Sequence, residues 1–328
     1  MNCHSRFLNR SSKILCLTSS IIAITILLNW ELLALKGNKL SRSVVPIRSD
    51  IRRGYATYLD REVSLPPKWA VADSKLLLQL RSYKHKNSSS PEEIATEWSQ
   101  NETAVIVVDL WDNHWCRSTL EQIRELVPRV EKFLTVVRNS GVLVIHAPTN
   151  VHDFYRRYLQ RKRVIDMKET YLKDKKIKKV PSRKHYRPSE SQPLYMGKEN
   201  GCLDVPTPAH KLVWKRQATG ITIAKDDLIL RNDRQELLGI VRSKKLTNLI
   251  YVGVAANSCI LKRAIGLISM SEAGFGRNNL AICRDLTEVQ YNPKQPPFVT
   301  SIEALNLQIS FIEKLYASSL ECRVRSNS

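Results

Sequence analysis

No C-x-x-C pair occurs among the seven cysteines of this 328-residue chain, which excludes a zinc ribbon or a thioredoxin-type dithiol. Those cysteines (Cys3, Cys16, Cys116, Cys202, Cys259, Cys283 and Cys322) are odd in number and irregularly spaced, which argues against a disulfide scaffold. No internal repeat is present, so a solenoid is excluded. Nothing in the chain has the pattern of a zinc finger, an RRM signature or a basic zipper, so nucleic acid is not an expected partner. That exclusion matters because acidic residues are scarce. The 31 Asp and Glu face 52 Lys and Arg, a formal charge of +21. The hydrophobic fraction of 43% is ordinary for a chain with a packed core.

The basic surplus is local. Residues 156–187 hold 14 Lys and Arg against Asp166, Glu169 and Asp174, a net of +11. This stretch is read first as a solvated insertion and otherwise as a patch for anionic lipid or another anionic surface. Residues 1–13 form a basic tail, and the 22 residues Ile14–Leu35 carry one charge, Glu31, beside Trp30. An apolar run of that length can span a bilayer, and Trp suits its interface. No A-x-A cleavage pattern follows, so an uncleaved single-pass transmembrane anchor is expected, with secretion after signal-peptide cleavage as the alternative. Lys36, Lys39, Arg42, Arg48, Arg52 and Arg53 outnumber Arg6, Arg10 and Lys13. By the positive-inside rule this would leave the remainder of the chain cytoplasmic.

Residues 36–100 are expected to be a juxtamembrane linker with short strands, one over Ser74–Tyr83, followed by a loop over Lys84–Glu93. From residue 101 to 320 apolar β-branched runs alternate with amphipathic stretches. The strands are predicted at Thr103–Leu110, Val142–Ala147, Leu212–Trp214, Leu246–Val254 and Asn279–Asp285, with an acidic-to-apolar segment at Asp226–Leu230. The helices are predicted at Ser118–Asn139, Arg234–Arg242, Ser258–Glu272 and Ser301–Leu320. The pattern implies a three-layer α/β fold of Rossmann-like type, with a mostly parallel sheet covered by helices on both faces and a tail at 321–328. Sites in such folds form outside the carboxyl ends of the strands. That places Asp109, Trp214-Lys215, the Val254–Cys259 turn and Asp285 under scrutiny.

Cys259 stands at a strand-to-helix turn, where the helix dipole favours a thiolate; the plain alternative is a buried structural cysteine. Asp109, at the end of the first core strand, can accept and return a proton, or merely cap the following loop. Lys215 can hold carboxylate and thiolate together, or be an ordinary surface lysine. Three such groups at three strand ends point to nucleophilic catalysis.

The segments VVDLWD, GVLVIHAP, LVWKR, YVGVAANSCILKRAIG and ICRDL resemble, in this order, the isochorismatase-like cysteine hydrolases, which include nicotinamidases and related amidases. The resemblance covers roughly residues 101–318. It is nearest to a branch with a D-x-W-D-x-H-W-C motif, here Asp109 to Cys116, and extends to Arg284–Val299. It implies a Cys259–Asp109–Lys215 triad acting on an amide or related bond of a small molecule through a thioester. It also implies a cis peptide between Val254 and Ala255, and an oxyanion hole from the N–H groups of Ala255 and Cys259. Trp111, Asp112, His114, Trp115 and Asn257 would line the substrate pocket. The D-x-H…H metal group of the nicotinamidases has no counterpart in TNVHDFYRR, so no cofactor is expected; Asp112 and His114 are the alternative metal ligands. The family often forms oligomers, which leaves a homo-oligomer open. The competing reading is a catalytically silent, membrane-tethered binding or scaffold protein, with the basic insertion meeting anionic partners.

Overall fold

The structure, a computed structural model, describes residues 69–72, 74–174, 183 and 185–324. The apolar run Ile14–Leu35 lies outside them, as do residues 175–182. Among the described residues no helix is long and apolar enough to cross a membrane.

Nine strands form one sheet: β1 (Trp69–Ala72), β2 (Lys75–Ser82), β3 (Glu92–Ser99), β4 (Thr103–Val108), β5 (Leu143–Ala147), β6 (Leu228–Ile229), β7 (Asn248–Val254), β8 (Leu280–Glu288) and β9 (Ser318–Leu320). The order runs β1-β2-β9-β8-β7-β4-β5-β6, with β3 on β2. From β9 to β6 every pairing is parallel, whereas β2 meets β1, β3 and β9 antiparallel. The helices are α1 (Arg117–Asn139), α2 (Leu159–Lys173), α3 (Arg234–Lys244), α4 (Cys259–Lys262), α5 (Leu267–Glu272) and α6 (Ser301–Leu315).

The β-branched run of β4 is buried throughout, as a central parallel strand with both faces covered requires. Its side chains alternate between two cores. Val105 and Val107 join Ile123, Val130 and Phe133 of α1, whereas Ala104, Ile106 and Val108 join Leu237 of α3 and Ile309 of α6. Each fully buried aliphatic side chain contributes roughly 1.5–3 kcal/mol. Asp204 accepts the Arg117 and Ser118 N–H groups at 2.6 and 3.0 Å, capping α1 from a distant loop. A capping box at Thr300 and Glu303 starts α6.

Several expectations need correction. The sheet begins before residue 101, because β2 pairs with β9 through Arg81 and Ser319 and buries Leu76, Leu78 and Leu80. Leu212–Trp214 is irregular rather than a strand; its backbone follows the loop after β4, with a bridge between Trp111 and Gln217. The helix expected from Ser258 breaks at Arg263, which is extended (φ −75°, ψ 167°), and resumes as α5. The last helix stops at Leu315, leaving Ser318–Leu320 to form β9.

Where it is described, the basic stretch is solvated at Arg156, Arg157, Lys162 and Lys173, which are exposed, but it also contains a packed helix. Residues 159–173 form α2, and Arg161 makes a buried two-pronged ion pair with Glu236 of α3, both contacts 2.6 Å. Gly239 of α3 lets the backbones approach, since a Cβ there would lie 2.9 Å from the Met167 carbonyl oxygen. A buried guanidinium persists only with such a partner, so this charge belongs to the core rather than the surface.

The cysteine expectation also fails. Cys116–Cys202 and Cys283–Cys322 are disulfides, with Cα–Cα distances of 5.9 and 5.7 Å. Sequence spacing hid them because they close loops of 86 and 39 residues. Each contributes on the order of 2–4 kcal/mol by constraining the unfolded chain. Accordingly, dithiothreitol is expected to lower the urea midpoint, and Cys116→Ser with Cys202→Ser should reproduce part of that loss. An unchanged midpoint under reduction would remove the disulfides from the account.

Candidate active site at the carboxyl ends of β4 and β7

β4 ends in Asp109, whose φ of +51° is left-handed, a conformation a non-glycine residue holds only when its surroundings enforce it. Gly253 of β7, at φ +107°, packs against it, and a Cβ there would overlap the Val108 carbonyl oxygen. This close approach delivers the β7 turn, with its cis Val254–Ala255 peptide, beside Asp109. The cis bond falls where the resemblance implied it.

The Asp109 carboxylate has no exposed surface. Its Oδ1 accepts the Thr149 N–H at 2.8 Å, and its Oδ2 faces the Arg263 guanidinium at 3.3 Å. The Cys259 thiol lies within electrostatic reach of both the Asp109 carboxylate and the Arg263 guanidinium, and its Sγ is 4.0 Å from the Ser258 hydroxyl oxygen. Cys259 is buried and is the free cysteine among the described residues. Burial is the main influence on its thiol and pushes it up to about 11; Arg263 pulls it down and Asp109 pushes it up. The expectation of a helix-activated thiolate is therefore corrected. With four residues, α4 has too small a dipole to offset desolvation. Burial thus favours the neutral thiol at Cys259. Burial opposes the Arg263 charge, yet Asp109 and Cys259 hold that guanidinium protonated beyond its ordinary range.

Lys215 is not part of this cluster. Its side chain is exposed, and its backbone N–H, with that of Arg216, is held by Asp112 Oδ1 at 3.0 and 3.3 Å. Because its segment is no strand of the sheet, its side chain is not delivered to Asp109. Arg263, four residues after the cysteine, takes the cationic place. The i, i+4 spacing after Cys259 was the available signal. The continuous helix expected there masked it, because Arg263 reaches Asp109 by leaving the helix. The segment before it is tied down by a bridge between His185 and Arg263 and by the Tyr186 N–H on the Lys262 carbonyl at 2.6 Å.

The other expected residues divide. Trp111 stacks on Trp214 at 4.3 Å, and both indole N–H groups donate to the Thr149 carbonyl, at 3.1 and 3.2 Å. They brace the residue that holds Asp109. Trp115 is half-buried between His114 and His210. Asn257 is buried and spends its amide on the Gln290 backbone, donating at 2.8 Å and accepting at 3.0 Å; it is a staple rather than a pocket wall. Asp285 lies away from Cys259 in its bonding: it accepts the Cys322 N–H at 2.7 Å beside the second disulfide, and burial raises its carboxyl.

The metal alternative does not fit. Asp112 is committed to the loop backbone, and His114 Nδ1 accepts the Cys116 N–H at 3.1 Å. Among the described residues the ligand types that gather are Cys116, Cys202 and Asp204. Their sulfurs are bonded to each other, and both Asp204 oxygens cap α1.

No protein-family model matches the chain, and no curated protein matches it. Solved structures do. A cysteine hydrolase from Pseudomonas syringae pv. phaseolicola is 13% identical, with a TM-score of 0.41 over 69% of this chain and 91% of that one. The pyrazinamidase of Pyrococcus horikoshii in complex with zinc is 12% identical, with a TM-score of 0.36 over 67% and 99%. N-carbamoylsarcosine amidase from Thermoplasma acidophilum is 11% identical, with a TM-score of 0.34 over 69% and 99%. Other solved structures that this chain is similar to are described as isochorismatase family proteins, among them one from Burkholderia thailandensis, 14% identical with a TM-score of 0.37 over 68% of this chain and 92% of that one.

His114 supplies a pH signature. Burial pulls its imidazole down to about 4. A folded pKa below the unfolded 6.5 gives stability that is present above pH 6.5 and lost as pH falls toward 4. The loss should approach about 3 kcal/mol. Chemical denaturation across that window should show the slope, and His114→Phe should flatten it; equal slopes would refute the assignment.

Proposed function

We propose that this chain is a cysteine hydrolase cleaving a small amide or related bond, with Cys259 as nucleophile, Asp109 as acid and base, and Arg263 as the cation that orients them. The observation that carries the reading is the convergence of thiol, carboxylate and guanidinium at the carboxyl ends of two adjacent parallel strands, where such folds place their sites. The resemblance of the surrounding motifs supports the same chemistry.

In the proposed reaction the thiol proton passes to Asp109 as sulfur attacks the carbonyl carbon. The developing oxyanion is held by the N–H groups of Ala255 and Cys259. Asp109 returns the proton to the departing amine, leaving a thioester on Cys259. Asp109 then takes a proton from water, which attacks the thioester and frees the acid and the thiol. The raised thiol suits this cycle, because proton transfer and attack are coupled rather than starting from a standing thiolate. Arg263 stays charged throughout and keeps the carboxylate in place; it donates no proton in the scheme.

The expected test is a small-amide screen on the full chain with a variant set. Cys259→Ala should abolish turnover, Asp109→Asn should reduce kcat by at least about 100-fold, and Arg263→Ala should follow Asp109→Asn. Lys215→Ala should leave kcat within about twofold of the parent, since surface changes away from the chemistry are near neutral. Equal activity in the parent and Cys259→Ala would favour the catalytically silent, membrane-tethered binding reading.

We further infer that the folded domain faces an oxidising compartment, because two disulfides persist there and not in a reducing cytosol. This reverses the orientation expected from flanking charge, and it agrees with either an anchor or a cleaved signal at Ile14–Leu35. Asn87-Ser88-Ser89 and Asn101-Glu102-Thr103 are N-x-S/T sequences with exposed asparagines. Expressed in a eukaryotic secretory host, the full chain should gain glycosidase-sensitive mass at both, absent in Asn87→Gln with Asn101→Gln. Unmodified asparagines would place the domain on the cytosolic side.

A further inference from the structure

Lys262 closes α4, three residues after Cys259 and next to Arg263. Its side chain is half-buried, and among the described residues no carboxylate forms an ion pair with it. The partner within reach is neutral: in the amide orientation that satisfies its surroundings, the Gln192 oxygen accepts from Lys262 Nζ at 3.3 Å. The Gln192 nitrogen then donates to the Asn257 carbonyl at 2.9 Å. Gln192 thus ties the ammonium to the turn that carries the nucleophile. Burial pulls the Lys262 amine below its ordinary range, and a thiolate at Cys259 would pull it back up, so amine and sulfur share one field.

A partly desolvated ammonium without an anion is costly, and the other paired cations of the fold show the usual solution. Arg161 has Glu236, Lys168 has Asp233, and Arg263 has Asp109. Lys215, Arg216 and Arg231 are exposed on loops at the same carboxyl edge of the sheet, where like charges raise the local concentration of an anion.

We propose that Lys262 docks a carboxylate of the substrate, so that the substrate class is small amides bearing a carboxylate group. This rests on the reading of Cys259 as nucleophile. The ammonium would anchor the substrate's anion while Cys259 meets its carbonyl carbon, and its role is in specificity rather than in bond breaking.

Iodoacetate and iodoacetamide test the idea without a known substrate, since they differ chiefly in charge. In both, Cys259 sulfur bonds to the methylene carbon, iodide leaves, and the thiol proton goes to Asp109. Alkylation of the full chain is followed at pH 8 by mass spectrometry of the Cys259 peptide, which keeps Cys3 and Cys16 apart. The rate ratio of iodoacetate to iodoacetamide should be about tenfold higher in the native chain than in urea, the low end of enrichment at a charged site. Lys262→Met should return the ratio to the urea value, since a change in thiol reactivity common to both reagents cancels in it; Lys262→Arg should retain it, and salt should erode it. An equal ratio in the parent and Lys262→Met overturns the proposal. So does failure of both reagents to modify Cys259, because a site for such substrates must admit two carbons. Asp109→Asn should slow both reagents, because the thiol loses its proton acceptor. If it slows neither, the nucleophile reading fails, and the charge preference is judged separately.

Discussion

A carboxylate with no exposed surface must find its hydration inside the protein. Asp109 does so at the end of β4 through two groups: the Thr149 N–H on one oxygen and the Arg263 guanidinium on the other. Removing either partner would leave charge buried without compensation, a cost of several kcal/mol. Much of the surrounding structure serves this constraint. Thr149 is fixed by two tryptophans that donate to its carbonyl. Those tryptophans stack on each other and on the His114 ring. His114 must then stay neutral, which its burial ensures.

The same constraint explains the shape of the β7 turn. Arg263 reaches Asp109 only because α4 stops after one turn and the chain extends. Gly253 admits the Val108 carbonyl, so that β7 and β4 are close where the two residues meet. The strands bring the thiol; the break in the helix brings the cation beside it. Around them, residues 185–227 are pinned at Tyr186 on the Lys262 carbonyl and at Cys202 on Cys116. Close to the disulfide, Asp204 also caps α1.

A buried network supports the far side of β5. His146 lies between Gln217 at 3.0 Å and Asp227 at 2.9 Å. Burial would raise the Asp227 carboxyl, but His146, Arg138 and the Ala224 N–H together hold it below its ordinary range. Gln217 belongs to the segment that also carries Lys215, so the network fixes the path of that loop without delivering Lys215 to the site. A strand ending at Trp214 would have aimed Lys215 inward; a loop held by Asp112 and His146 aims it out.

By itself, the sequence determined the alternation of buried strands and amphipathic helices, because side-chain period is a local property of the backbone. Asp109 and the turn that carries Cys259 were legible for the same reason, since each follows a strand whose apolar run is plain. The tertiary structure alone decided which cation meets them, which cysteines pair, and that β1 to β3 extend the sheet. Those outcomes depend on contacts between segments tens of residues apart. Arg81 with Ser319, Cys116 with Cys202 and Arg263 with Asp109 leave no local spacing to read, because what joins them is distance in space and the cost of burying charge unpaired.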